Sequence, residues 1–106
     1  MSRLRTEVQT ILETSMENVG YTKHVYYQPP ETIKLVYPCI VYDRSRFETR
    51  YSNNKVYKDM TKYTVTVMDK DPVSPLVNEL RSIDYCEMER EFVTDNIHHF
   101  VFTLFY

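Results

Sequence analysis

The stretch Pro38-Cys39-Ile40-Val41-Tyr42 places β-favouring side chains on both parities of one short run. A strand that is apolar on both faces is covered on both faces, so this run is expected at the centre of a sheet. From Asp43 onward the pattern changes to a polar alternation, Arg44-Ser45-Arg46-Phe47-Glu48-Thr49-Arg50-Tyr51, and meets Ser52-Asn53-Asn54. Asn accepts the left-handed backbone that tight hairpins need, so a turn is expected there, at the tip of a long hairpin arm. The return leg ends in Thr61-Lys62-Tyr63-Thr64-Val65-Thr66-Val67-Met68, whose β-branched and aromatic residues suit a strand paired with the Cys39 run.

Upstream, Leu4, Val8, Ile11, Leu12 and Val19 recur at helical spacing with polar residues between them, which predicts an amphipathic helix from Ser2 to Asn18. The chain's only glycine, Gly20, follows at the position where a helix stops in left-handed geometry. An extended segment, His24 to Gln28, is then cut off by Pro29-Pro30, which cannot donate to a ladder and so fits a sheet edge or a crossing loop. Downstream, Asp69-Lys70-Asp71-Pro72 breaks the strand. Ser74-Pro75 supplies an N-cap and a first-turn proline for a second, short helix carrying Leu76, Val77, Leu80 and Ile83. Two extended runs, Tyr85 to Thr94 and Ile97 to Tyr106, close the chain around a compact Asp95-Asn96 turn. The expected fold class is therefore α+β: helix, four strands, helix, two strands, as a mixed or antiparallel sheet with both helices on one face.

At 106 residues, the chain has room for one core, so residues 1–106 are expected to form a single domain. Its ten Tyr and five Phe without any Trp favour half-buried strands or wet protein interfaces. A net charge of −2 lacks the cationic excess of a general nucleic-acid binder. No stretch is apolar for long enough to cross a bilayer, and Met1 to Arg5 leads into no apolar leader core, so a cytoplasmic chain is expected. Cys39 and Cys86 stand far apart with no C-x-x-C pairing, which predicts two reduced, buried thiols.

The residues offer little to catalysis. Adjacent His98 and His99 point to opposite faces of a strand and cannot grip one metal ion. No nucleophile elbow occurs, and one glycine cannot build a phosphate-cradling loop. Glu87, Glu89 and Glu91 alternate along a strand and are expected to share a face; solvation, or the acidic side of an interface, explains them better than a bound cation. No enzyme activity, cofactor or metal site is expected.

One asymmetry remains. Between Asp43 and Lys62, six basic residues face three acidic ones, an excess of +3, which leaves −5 for the rest of a chain at −2. Cations with interleaved aromatics typify contact surfaces, so Arg44, Arg46, Phe47, Arg50, Tyr51, Lys55, Tyr57 and Lys58 are the candidate interface, received by an acidic surface on a neighbour or by DNA. Protection of a sheet edge from aggregation would use the same charges.

Taken in order, Val25-Tyr26-Tyr27-Gln28-Pro29-Pro30, Lys34-Leu35, Tyr37-Pro38-Cys39-Ile40-Val41-Tyr42, Asn53-Asn54-Lys55, Tyr63-Thr64-Val65-Thr66-Val67, Asp95-Asn96 and Phe102-Thr103-Leu104-Phe105 resemble the tail terminator, or tail completion, proteins of long-tailed siphophages. The resemblance runs from about His24 to Tyr106 and consists of short patterns rather than a catalytic signature. It implies a non-enzymatic virion protein that forms a ring, commonly a hexamer. That ring would cap the head-proximal end of the tail tube, stop its growth and meet the head-tail connector or stopper protein. It further implies assembly in the host cytoplasm and DNA passing through the ring channel. A neck or head-completion protein is the nearest alternative, and a small metal- or nucleotide-dependent enzyme a more distant one.

Overall fold

In the computed structural model, which describes residues 5–44 and 60–106, the first helix, α1, runs Arg5–Asn18 and buries Val8, Leu12, Ser15 and Met16 along one stripe. Its end is a paired stop. The Tyr21 N–H reaches back to the Met16 carbonyl at 2.9 Å and the Gly20 N–H to Glu17 at 3.0 Å, with Gly20 at φ 81°, where a side chain would be strained. The first three strands are β1 (Val25–Tyr27), β2 (Cys39–Arg44) and β3 (Lys62–Asp69). Helix α2 (Pro75–Arg81) follows, then β4 (Cys86–Thr94) and β5 (Ile97–Phe105).

Ser74 caps α2 as expected: its side chain accepts the Leu76 N–H at 3.3 Å, and Pro75 opens the first turn. The Asp95-Asn96 turn also holds, with both residues at positive φ (52° and 63°), the geometry that matches the twist of a two-residue hairpin. The five strands form one mixed sheet in the order β1-β2-β3-β5-β4. Among the described residues, β1 and β2 pair in parallel and the other neighbours are antiparallel.

Burial along β3 alternates without a break, from half-buried Lys62 to buried Asp69. Tyr63, Val65 and Val67 join Ile40, Tyr42, Phe100, Phe102 and Leu104 beneath both helices, where they meet Val8, Leu12, Met16, Leu76 and Leu80. The fold is thus α+β with two helices on one face of a five-stranded sheet. The middle strand is β3 rather than the Cys39 run. β2 is interior because β1 adds to its far side, but Val41 stays half-exposed, since among the described residues no helix covers the second face. The predicted turn at Ser52-Asn53-Asn54 and most of the hairpin arm, including its polar leg from residue 45 to 51, lie outside the described residues.

Candidate functional site

Of the eight candidate interface residues, Arg44 is described; Arg46, Phe47, Arg50, Tyr51, Lys55, Tyr57 and Lys58 lie outside the described residues. Arg44 is exposed as the last residue of β2 and pairs with Tyr63 of β3. At the same end the β3–β5 pairing is extended by two backbone bonds between Thr61 and Tyr106, at 2.8 and 3.0 Å. The basic stretch therefore leaves and re-enters the sheet at one end, beside the finish of β5.

Behind that end lies a polar network that the sequence did not reveal. The Tyr42 ring is wholly buried, yet its hydroxyl accepts from the Arg5 guanidinium at 3.0 Å and donates to the Gln9 side-chain carbonyl. Burial lifts the Tyr42 phenol above its ordinary pKa, and Arg5 pulls it partly back. Arg5 also sits 4.4 Å over the Tyr27 ring, so one cation ties the start of α1 to β1 and β2. Gln9 then donates to the Val25 carbonyl at 3.2 Å, satisfying backbone on the edge strand.

A second hub surrounds Asp69, a buried carboxylate at the end of β3. It accepts from the Tyr21 hydroxyl at 3.0 Å, the Ser74 hydroxyl at 2.7 Å and the Asp71 N–H at 3.0 Å. These bonds join the exit of α1, the end of β3 and the cap of α2. Burial, then the bond and charge of Asp69, raise the Tyr21 phenol. The buried Ser74 hydroxyl, donating to Asp69 and accepting from Leu76, serves as the cap of α2. The strand-breaking Asp69-Lys70-Asp71 motif was the sequence trace of this hub, because an Asp that turns the chain bonds the backbone two residues on.

The acidic strand needs a correction. A bulge between Met88 and Arg90 shifts the β4 register, so Glu87, Glu89 and Glu91 do not share a face. Glu87 pairs with Thr103, and Glu89 accepts the Thr103 hydroxyl, both on the face away from the helices. Glu91 pairs with Phe100, a core residue, and lines a groove with Arg81 and Asn78 of α2. One extra residue reverses the facing of everything after it, and alternation in the sequence carries no mark of that residue. Beyond the bulge, Phe92 stacks on His99, with centroids 4.6 Å apart, and Arg90 lies 5.4 Å from the Phe92 ring.

His98 and His99 do face opposite ways, His99 toward Phe92 and His98 toward Val93. Both cysteines are free and buried, and burial pushes each thiol up to about 12. Among the described residues, no group of three or more His, Cys, Asp or Glu is placed to hold a metal ion, and no helix is long and apolar enough to cross a membrane. Compared with protein-family models, curated proteins and solved structures, the chain matches none.

Proposed function

We propose that this chain is a ring-forming tail terminator of a long-tailed phage. It would cap the head-proximal end of the tail tube and present its outer surface to the connector. The observation that carries the reading is the ordered set of short patterns between His24 and Tyr106, together with the elements on which they fall. Val25-Tyr26-Tyr27 is the edge strand, Cys39 to Tyr42 and Tyr63 to Val67 are adjacent antiparallel strands, and Phe102 to Phe105 ends the strand beside them. The basic excess between Asp43 and Lys62 supports it further, because a ring needs two unlike surfaces on each subunit and this chain separates its charge accordingly. The partners would be further copies of the chain, the tail tube protein and the connector or stopper, with DNA in the channel.

Electron microscopy of particles assembled without the protein tests this reading. Overlong or unjoined tails beside filled heads are the expected result. Heads that leak DNA while tails of normal length accumulate would instead identify a neck protein, and normal particles would reject both structural roles.

A further inference from the structure

The two edges of the sheet are not alike. Gln9 and the segment carrying Val36 already reach β1. The outer side of β4 has no backbone partner among the described residues: β5 occupies its inner side, and no turn, loop or cap bonds to Cys86–Thr94 from outside. Within β4 the two halves also differ. Glu87, Glu89 and the bulge between Met88 and Arg90 interrupt the first half, a common protection of an exposed edge. From Arg90 to Thr94 the pairing with β5 is regular, and all five residues are exposed.

Facing alternates along this regular half. Arg90, Phe92 and Thr94 lie on the face away from the helices, and Glu91 and Val93 on the helix side. Phe92 is 41% exposed and Val93 57%, so an apolar side chain stands at the edge on each face. A strand added to the edge would cover both at once, and its backbone would take up the unpaired N–H and C=O groups. His99 already holds the Phe92 ring by stacking, with 4.6 Å between centroids, so little side-chain freedom is lost when a second strand arrives.

Charge and facing decide which strand fits. When two copies of one edge pair antiparallel, a two-fold axis passes between them perpendicular to the sheet, and the helices of both copies stay on one side. Residues brought opposite one another must then share a face, so the axis passes at a residue and not between two. Within the regular half, Glu91, Phe92 and Val93 have neighbours on both sides. An axis at Glu91 opposes two carboxylates, and an axis at Val93 sets Glu91 against Asp95 of the turn. An axis at Phe92 opposes no like charges from Arg90 to Thr94: Arg90 meets Thr94, Glu91 meets Val93, and the two Phe92 rings meet each other. We propose that two copies of this chain join through β4, antiparallel and centred on Phe92, into one continuous ten-stranded sheet. The contact goes beyond the ring-forming reading. It closes at two copies, whereas a ring needs head-to-tail contacts, so the pair is the state of the chain away from the tail tube and parts when the ring closes. Arg44 lies on β2, with β3 and β5 between it and β4, so the start of the basic stretch is not part of this contact.

Mild oxidation of two single variants of the full chain tests the register. In Phe92→Cys the new thiols face each other across the axis, with Cα atoms roughly 4.5–5.5 Å apart, within the span of a disulfide. In Thr94→Cys they stand four residues apart along the ladder, roughly 13 Å and out of reach. A covalent dimer from Phe92→Cys and none from Thr94→Cys is the expected result; Cys39 and Cys86 are buried and stay out of the exchange. Sedimentation velocity of two Val93 variants tests the charges without any thiol. Val93→Lys faces Glu91 of the other copy twice in each pair and should tighten association about tenfold, whereas Val93→Glu should loosen it about tenfold. Circular dichroism should show both folded, because the position is exposed. If Phe92→Cys does not fold, the Val93 variants carry the test alone.

Equal cross-linking at both cysteines, Val93 variants that shift association in the same direction, or an unaltered chain that is monomeric at every concentration would overturn the contact. None of these outcomes touches the ring-forming reading. That reading fails instead when particles assembled without the protein are normal.

Discussion

The two faces of the sheet are built from the same strands and differ in almost everything else. On β3, Tyr63, Val65 and Val67 are buried under the helices, while Thr64 and Thr66 between them are half-exposed on the other side. On β5, Phe100, Phe102 and Leu104 face the helices, and His99, Val101 and Thr103 face away. The second face is neither a core nor a fully solvated surface: Thr64 pairs directly with Thr103 and is half-exposed, while Val101 is buried. Stability should therefore reside in one face, leaving the other and the rims free to be used.

That division predicts a large asymmetry between neighbours in the ladder. Phe102→Ala should cost about 3–5 kcal/mol, because its ring is wholly buried and the packing around a deleted core ring relaxes only in part. Thr66→Ala, on the uncovered face of adjacent β3, should stay within about 0.5 kcal/mol, because it removes neither core volume nor a cap. Urea denaturation of the two variants checks both values. Equal costs would mean that something outside the described residues covers the second face.

A smaller effect is expected at the hub that holds the helices to the covered face. Asp69→Ala strips the acceptor from the Tyr21 and Ser74 hydroxyls and the Asp71 N–H, and should cost about 1–3 kcal/mol. Amide exchange should quicken first at the start of α2, which Ser74 caps. Uniform loosening of the whole chain would show that the hub is not a separable fastening.

The mildest test uses the cysteines, one at the start of β2 and one on the helix-covered face of β4. Each folded-state pKa is raised from 9.0 to about 12, so above pH 9 the folded chain holds protons that the unfolded chain releases. Their contribution to stability is complete below pH 9 and is lost as pH rises toward 12. Thermal melting should fall across that window, and less steeply in a Cys39→Ala, Cys86→Ala double variant, itself modestly destabilised. Thiol labelling of the native chain at pH 8 should be slow, since the reactive species is the thiolate. Rapid labelling would show that at least one sulfur is accessible.

Much of this architecture was legible residue by residue. Gly20 ending α1, Ser74-Pro75 opening α2 and Asp95-Asn96 turning β4 into β5 are local devices, where a backbone angle or an unpaired N–H selects the residue type. The helical spacing of Val8, Ile11 and Leu12, and the β-branched and aromatic run from Thr61 to Met68, are equally local, because a helix or a strand declares itself within its own length. The candidate interface was legible only as a charge imbalance, and of its residues only Arg44 falls where the sheet describes it. What tertiary structure alone decided is non-local: the strand order, the parallel pairing of β1, the bulge that sends Glu91 to the helix side, and the convergence of Tyr21, Asp69 and Ser74. Strand partners are chosen by contacts far apart along the chain, and an inserted residue changes facing without changing composition. A sequence therefore shows that a strand alternates but not which way it faces after a bulge, and here that difference separates an acidic stripe from two unlike halves of one edge.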